Sequence, residues 1–99
     1  MAPTFEWSEA FAQDLRKLSD DDRARFQEKV VDLWVPVLDA GPPYPPGLRI
    51  KRVQGAERVW ELTFAPDGRA TFEYGEPTRE GMVHVVWRRI GTHGIFGNP

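Results

Sequence analysis

The stretch Val83–Phe96, VHVVWRRIGTHGIF, decides the fold, because it begins with the composition of a buried strand and ends with that of an anion site. Its first half is dense in valine and contains a tryptophan, which predicts a strand over residues 82–90. Arg88 and Arg89 follow, and two glycines then flank His93. Guanidinium groups bind phosphate through paired hydrogen bonds, and imidazole titrates near neutral pH. We therefore expect an anion-binding rim at the end of this strand.

The alternation within this strand leaves open which of its faces meets the core. One parity holds Val83, Val85, Trp87 and Arg89, and the other holds His84, Val86, Arg88 and Ile90. Because side chains alternate between the two faces of a sheet, one of the two arginines is expected to be structural.

Three further strands precede the last one. Alternating patterns predict them at residues 48–53, 59–64 and 69–74, and the residues Ala65-Pro66-Asp67-Gly68 predict a tight turn between the last two. One face of this hairpin is apolar: Trp60, Leu62, Phe64, Ala70, Phe72 and Tyr74. The opposite face is polar: Glu61, Thr63, Arg69, Thr71 and Glu73.

Two amphipathic helices follow a short strand at residues 4–7. Ser8 is placed to cap the first helix, and Ser19, followed by three acids, is placed to cap the second. Pro36 ends or kinks the second helix near Val35, since proline lacks an N–H and restricts the residue before it. The second helix is expected to place Leu33 on its apolar stripe, together with Phe26, Val30 and Val37.

The apolar face of the hairpin gives the two helices a surface to pack on. A linker at residues 40–47 with four prolines connects the two parts. We predict a single domain over residues 1–99 of the α+β class, with two layers. In this fold the N-terminal helix hairpin packs on one face of a small antiparallel β-sheet.

Composition excludes several classes of function. The chain has no cysteine, and its two histidines and scattered acids show no metal-ligand spacing, so we expect no metal and no other cofactor. No stretch approaches the ~20 apolar residues of a membrane span, and the N-terminus lacks the features of a secretion signal. We expect a cytoplasmic protein without membrane contact.

The net charge of −2 conceals an uneven distribution. Residues 1–47 hold five Lys and Arg against nine Asp and Glu, whereas residues 48–99 hold eight against six. The second half is therefore slightly basic, which places an anion site there. The bias is far weaker than that of a typical nucleic-acid-binding domain.

The polar face of the hairpin offers Glu61, Glu73 and Arg69 near the rim that carries His93. Cleavage of RNA by its own 2′-hydroxyl requires a base for that proton, an acid for the leaving 5′-oxygen and positive charge at the phosphate. These residue types meet that requirement. They also fit a structural role, because the glutamates can pair with Arg69 or Arg88 across the sheet.

Three phrases carry a resemblance to a known family: Val53-Gln54-Gly55 followed by Val59-Trp60-Glu61-Leu62, then Gly68-Arg69-Ala70-Thr71-Phe72, then Arg89-Ile90-Gly91-Thr92-His93 with Phe96. Their order resembles that of the RelE/ParE superfamily of bacterial type II toxins, over about residues 4–96. In the ribonuclease members the arginine of the second phrase contacts RNA phosphate. The third phrase is similar to the ending of the YafQ-type branch, whose histidine is catalytic.

The resemblance implies a ribosome-dependent mRNA endoribonuclease that inhibits translation and is neutralised by a cognate antitoxin protein. With the reasoning above, the candidate catalytic residues are His93, Arg69 and Glu61. The candidate RNA-binding residues are Arg88, Arg89, Phe96, Lys51 and Arg52. The ribonuclease members carry lysine where Glu61 and Thr63 stand here, and they are strongly basic. Two alternatives therefore remain: a ParE-like toxin that binds and inhibits DNA gyrase without nuclease activity, or a toxin-fold protein that has lost its activity.

Overall fold

One sheet of five strands underlies the structure, within the residues that the computed structural model describes: 3–38, 41, 43–77, 82–97 and 99. The strands are β1 (Thr4–Trp7), β2 (Ile50–Arg52), β3 (Trp60–Ala65), β4 (Gly68–Tyr74) and β5 (His84–Gly91). Their order across the sheet is β1-β5-β4-β3-β2. The helices pack on one face of this sheet, which confirms the predicted two-layer α+β class.

The sheet is mixed, because its first strand runs parallel to its neighbour. In that pair Thr4 lies opposite His84 and Trp7 lies opposite Trp87. The other three strand pairs are antiparallel, as the sequence predicted for the whole sheet. β1 leads into a helix rather than a tight turn, and its partner residues lie 80 positions later in the chain, so no hairpin fixes its direction.

The helical layer consists of α1 (Glu9–Lys17) and a second helix that changes its winding along its length. The second helix comprises α2 (Asp20–Glu28), a π-helical segment (Lys29–Trp34) and α3 (Val35–Leu38). Both predicted caps are present: Ser8 Oγ accepts from the Phe11 N–H at 3.0 Å, and Ser19 Oγ accepts from the Asp22 N–H at 3.1 Å.

Pro36 lies within this second helix without ending it. The N–H of Val35 donates to the Val30 carbonyl five residues earlier, as in a π-helix. Proline has no N–H, and its ring crowds the carbonyl four residues earlier, so the wider winding lets the helix pass the proline.

The change of winding also changes which residues face the core. Val30, Trp34 and Leu38 are buried. Leu33, which the sequence placed on the apolar stripe, is 52% exposed, and that prediction was wrong. A regular 3.6-residue period does not describe a helix that contains a π-helical turn.

Trp87 of β5 is the centre of the core. Its ring centroid lies 5.7 Å from that of Phe11, 4.9 Å from that of Phe26 and 5.5 Å from that of Trp34. Phe72 of β4 packs on it at 5.5 Å. Helices and sheet therefore meet on the strand that opens the Val83–Phe96 stretch.

A β-bulge in β5 determines which side chains of this strand face the helices. Thr71 of β4 pairs with Arg89, and the residue after Thr71 pairs with Trp87, so Arg88 is the extra residue. As a result Trp87 and Ile90 are both buried in the core, although they are three positions apart. Neither parity of the sequence pattern describes the strand by itself, because the bulge shifts the alternation by one residue.

Three side chains bind the main chain of the bulge. Ser8 Oγ donates to the Arg88 carbonyl at 2.8 Å, Thr71 Oγ1 accepts from the Arg89 N–H at 3.0 Å, and Asp14 Oδ2 accepts from the Ile90 N–H at 3.2 Å. The bulge therefore keeps its hydrogen bonds although it interrupts the ladder.

The connection from the helices to the sheet follows the predicted linker. Residues 40 and 42 lie outside the described residues, and Pro46–Leu48 forms one 3-10 turn. Leu48 is 2% exposed and belongs to the core, so this turn is anchored from inside. No helix in the described ranges is long and apolar enough to cross a membrane.

Candidate functional site

A cleft of about 500 Å³ opens on the sheet face that the helices leave uncovered. It lies over β2, β3 and the start of β4. Its lining residues come from these strands and from the turn before β2: Pro46, Gly47, Arg49, Ile50, Lys51, Glu61, Thr63 and Arg69. Three of them are cationic and one is a carboxylate, so the cleft is suited to an anion.

Strand register brings Lys51 and Glu61 together in this cleft. The two residues are directly paired between β2 and β3. Lys51 Nζ lies 3.8 Å from Glu61 Oε1. The Glu61 side chain is 10% exposed and the Lys51 side chain is 75% exposed. The carboxylate is thus set deep in the cleft, while the ammonium group stays accessible to a ligand.

Arg69 stands at the other side of the cleft, directly after the β3–β4 turn. Its Nη1 donates to the carbonyls of Ala65, Pro66 and Gly68 at 3.3, 3.3 and 3.0 Å. Among the described residues these bonds use Nη1 alone, so Nε and Nη2 remain available to bind a phosphate. The turn carbonyls orient the guanidinium without neutralising its charge.

Gly68 is required for this turn by close packing. A Cβ atom at this position would lie 2.6 Å from Cε2 of Phe64, closer than non-bonded Cβ contacts in proteins, so the Phe64 ring or the turn would have to shift. In the segment that starts with Gly68-Arg69, the glycine allows close packing of the turn, and the arginine next to it is a cation in a fixed position.

Arg49 is a charged lining residue that the sequence pattern did not indicate as part of a site. Its backbone is left-handed, with φ 54° and ψ 46°, and its N–H donates to the Pro46 carbonyl at 3.1 Å. Lys29 donates to the Gly47 carbonyl at 2.9 Å and so holds the same turn from the helical layer. Burial, followed by the charge of Arg49, lowers the pKa of Lys29. One sequence feature could have indicated Arg49: it is two positions before Lys51, and residues at this spacing in an extended chain point to the same side.

Arg52 does not share the cleft with Lys51. It pairs with Trp60 across β2 and β3, and its guanidinium carbon lies 5.3 Å from the centroid of the Trp60 ring. Alternation along β2 places this pair on the opposite face from Lys51. A cation over an indole ring stabilises the sheet edge there.

The two arginines of the last strand have different surroundings. Arg89 makes a bidentate pair with Asp14 of α1, Nε to Oδ2 at 2.6 Å and Nη2 to Oδ1 at 3.1 Å. Arg88 donates from Nη1 to Glu73 Oε2 at 3.4 Å, and from Nε and Nη2 to the main-chain oxygen of Pro99 at 3.3 and 3.2 Å. Neither residue lines the cleft of Arg69, and the Asp14 pair gives Arg89 a structural role.

The end of the chain carries the other two candidates. Gly91 pairs with Arg69 across β4 and β5, and the 3-10 helix His93–Gly97 begins two residues later. The main chain of His93 is therefore close to Arg69 in the fold. The His93 side chain lies outside the described part of the structure. Phe96 is half-buried in the same 3-10 helix.

His84 has a structural place at the other edge of the sheet. Its ring is 5% exposed, with Nδ1 2.7 Å from Thr4 Oγ1 and Nε2 2.7 Å from Glu6 Oε1. Both partners belong to β1, so the imidazole joins the parallel strand to β5. In the described ranges no group of three or more His, Cys, Asp or Glu side chains is arranged to hold a metal ion.

Comparison with known proteins identifies the fold. Neither a protein-family model nor a curated protein matches the sequence. YafQ from E. coli strain BL21(DE3) is 16% identical, covers 93% of this chain and 94% of its own, and superposes with a TM-score of 0.62. RelE in the RelB–RelE antitoxin–toxin complex from Methanococcus jannaschii is 13% identical, with coverages of 94% and 95% and a TM-score of 0.62.

A third solved structure agrees with these two. The YoeB/ParE toxin from Agrobacterium tumefaciens is 14% identical, with coverages of 91% of this chain and 98% of its own and a TM-score of 0.60. At such identities the likeness establishes the fold alone. The chain has the fold of RelE/ParE-superfamily toxins, as the sequence resemblance predicted.

Proposed function

We propose that the protein is the toxin of a type II toxin–antitoxin system and that it cleaves mRNA on the ribosome. The observation that carries this proposal is the cleft, in which Lys51 and Arg69 flank Glu61 on the open face of the sheet. Cations around one carboxylate are the groups that an RNA phosphate and its 2′-hydroxyl require. The shared fold with RelE and YafQ supports the same reading.

Each residue has a role in this proposal. Glu61 takes the proton of the 2′-hydroxyl as the bond from O2′ to phosphorus forms. Arg69 and Lys51 stabilise the negative charge that develops on the phosphate. The bond from phosphorus to O5′ then breaks, and His93 gives O5′ its proton. The products are a 2′,3′-cyclic phosphate and a free 5′-hydroxyl, so no water or cofactor is consumed in this step.

Phe96 is proposed to stack on a base next to the cleaved bond. Aromatic rings stack on unpaired bases of RNA without strong sequence preference. In this proposal Arg89 and Arg52 are not active-site residues, because Arg89 pairs with Asp14 and Arg52 lies over the ring of Trp60. Arg88 is close to the open face and is kept as a peripheral RNA contact.

A translation assay tests the ribonuclease. We expect purified protein to cleave mRNA only when ribosomes are present. Arg69→Ala and His93→Ala should each lower the single-turnover cleavage rate by roughly 100-fold or more, the size typical for loss of a general acid or a phosphate contact. Arg52→Ala is the control, because Arg52 is on the other face of the sheet.

Two results would contradict the proposal. One is a wild-type protein that leaves mRNA intact on ribosomes. The other is an Arg69→Ala variant as active as the wild type with unchanged thermal stability. DNA cleavage that depends on gyrase, together with intact mRNA, would instead support the ParE-like alternative.

A cognate antitoxin is the proposed partner, since RelE is seen in complex with RelB. An apolar groove of about 320 Å³ lies between β1 and the helical layer. Its lining residues are Phe5, Trp7, Phe11, Leu15, Phe26, Val30, Val31 and Trp87. Trp7 is 63% exposed and Val31 53% exposed, an unusual exposure for such large apolar side chains. We propose that an apolar segment of the antitoxin covers this groove and folds as it binds.

A further inference from the structure

The turn before β2 presents a cation to the cleft from outside the sheet. Arg49 follows the 3-10 turn Pro46–Leu48 and lines the cleft together with Lys51 and Arg69. We propose that Arg49 is a second phosphate-binding residue of this cleft, which contacts the RNA phosphate next to the one held by Arg69. This inference rests on the proposed function and specifies how far the RNA backbone extends along the site.

The backbone of Arg49 is the first argument. A positive φ is costly for any residue with a Cβ atom, and glycine or asparagine is the usual choice there. Arg49 nevertheless has φ 54°. Strain of this kind persists where the surrounding structure enforces it, and it is concentrated at binding sites.

The surrounding structure does enforce it, from two sides. Leu48 is buried in the core, and the Lys29 ammonium holds the Gly47 carbonyl at 2.9 Å. The Leu48 N–H also donates to the Pro45 carbonyl at 3.0 Å. The position of Arg49 is thus fixed by its neighbours and not by its own side chain. The guanidinium is left available for a ligand.

The charges around Arg49 are the second argument. In the part of the chain that the structure describes, no carboxylate pairs with its guanidinium, and Lys29 is a like charge close by. Lys51 and Arg69 add positive charge along the same cleft, against Glu61 alone. Like charges held together by the fold repel one another in the free protein. A polyanion removes that repulsion when it binds.

The placement of the two arginines is the third argument. Arg49 directly precedes β2, which pairs with one side of β3, and it lines the cleft together with Thr63 of β3. Thr63 pairs with Arg69 on its other side. The strands β2 and β4 are two strand spacings apart, roughly 10 Å, and the two arginines lie at the starts of these strands. Long side chains that start at this separation can hold neighbouring phosphates of one strand laid across the cleft.

A matched pair of variants tests the inference. Arg58 is the other non-glycine residue with a positive φ in the described chain, at 69°, and it is exposed away from the cleft. Arg49→Gly and Arg58→Gly each remove one positive charge, and each relieves the backbone strain of one residue with a positive φ. The two variants differ in that Arg49 lines the cleft and Arg58 does not. Arg49→Lys keeps the charge and serves as the rescue variant.

Binding of a short single-stranded RNA is measured over a range of salt concentrations. The RNA carries 2′-O-methyl groups, so it cannot be cleaved. At low salt we expect Arg49→Gly to weaken binding roughly 5–10-fold, and to make the slope of log K against log salt shallower by about 0.7, the value for one phosphate contact with a single strand. Arg58→Gly should match the wild type in affinity and slope. Both glycine variants should melt at or above the wild-type temperature.

Three outcomes would overturn the inference. These are wild-type protein that does not bind the RNA, an Arg49→Gly slope equal to that of the wild type, and an Arg58→Gly effect as large as that of Arg49→Gly. If Arg49→Gly unfolds, Arg49→Asn replaces it, because asparagine tolerates a positive φ and also removes the charge, and an Arg49→Asn slope equal to that of the wild type overturns the inference as well. Failure of the ribonuclease gives a different pattern, with no mRNA cleavage on ribosomes but a normal Arg49-dependent salt slope.

Discussion

Glu61 is the residue whose position most constrains the proposed chemistry. It is a nearly buried carboxylate on a sheet face where the ribonuclease members of the superfamily carry lysine. The Lys51 ammonium faces it from the neighbouring strand at 3.8 Å. A cation is thus present on β2 beside the carboxylate on β3. The cleft keeps a net positive charge around one carboxylate, which is the base under the proposed function.

Replacement of Glu61 by glutamine separates binding from catalysis. Glu61→Gln removes the negative charge that a phosphate must approach, so RNA should bind about 3–10-fold more tightly, as for one favourable surface charge contact. The same change removes the base, so the cleavage rate on ribosomes should fall by roughly 100-fold or more. Equilibrium binding and single-turnover cleavage measure the two effects. Glu57→Gln is the control, because Glu57 is exposed in the connection between β2 and β3 and does not line the cleft. An unchanged cleavage rate in Glu61→Gln would assign the base to another group.

The sequence identified Glu61, Lys51 and Arg69 because they follow strand alternation. Alternation along β2 separates Arg52 from Lys51, but the sequence could not show which of the two shares a face with Glu61, since that depends on the register between β2 and β3. It also could not separate Arg88 from Arg89, because a bulge leaves no mark in a hydrophobic pattern. The sequence did not indicate Arg49, because its left-handed backbone is one that residues with a Cβ atom rarely adopt.

At the level of elements, the bulge in β5 is where α1, β4 and β5 are joined. Ser8, Asp14 and Thr71 each hydrogen-bond to its main chain, and Asp14 also binds the Arg89 guanidinium. Burial alone would raise the pKa of Asp14, but the hydrogen bonds from Arg89 and Ile90, with the charge of Arg89, lower it below its ordinary value of 3.8. The folded state therefore prefers the ionised carboxylate.

Loss of this carboxylate should weaken the contact between α1 and the sheet. We expect Asp14→Asn to lower the free energy of unfolding by about 2–3 kcal/mol at neutral pH, the size typical for hydrogen bonds to a charged group. Since the folded pKa is below the unfolded one, the stabilisation is complete above the unfolded value and is lost as the pH falls through the folded value. The difference between variant and wild type should therefore shrink below about pH 4. Denaturant unfolding at several pH values measures this.

Asp32→Asn is the control for this prediction. Asp32 is an exposed acid in the same helical layer, and its replacement should change stability by less than about 0.5 kcal/mol at every pH. A difference between Asp14→Asn and the wild type that stays constant down to pH 2–3 would show that Asp14 acts by packing rather than by charge.

At the scale of the whole molecule, two separate surfaces are proposed to bind two partners, RNA at the charged cleft and the antitoxin at the apolar groove. The charged cleft and the apolar groove lie on opposite sides of the sheet. Val31 and Leu33 allow a direct comparison, because they are 53% and 52% exposed on the same helical segment, but only Val31 lines the groove. We expect Val31→Lys to weaken binding of the proposed cognate antitoxin by at least about 10-fold, as for a central interface residue. Leu33→Lys should bind as the wild type does.

Calorimetry with the two purified proteins measures these affinities. Equal binding by Val31→Lys and the wild type would exclude the groove as the docking surface. Equal weakening by both variants would indicate an effect of charge alone. Neither outcome bears on the cleavage assay, because the groove is separate from Arg69.

The two-layer architecture could be predicted from the sequence because each hairpin strand alternates cleanly and each helix starts at a capping serine. The direction of β1 could not, since four residues paired with a strand 80 positions away carry no local signal. The burial pattern of the second helix could not be predicted either, because the π-helical turn before Pro36 changes the 3.6-residue period that the prediction assumes.

The position of β5 in the sheet has a consequence for the order of synthesis. β5 lies between β1 and β4, yet it is made after every other described strand. Until it leaves the ribosome, the N-terminal strand has no neighbour and the aromatic rings of the helices have no Trp87 to pack on. Contacts so distant in sequence form late and slowly. Under the proposed function, the unfinished chain therefore does not cleave the mRNA on the ribosome that is making it.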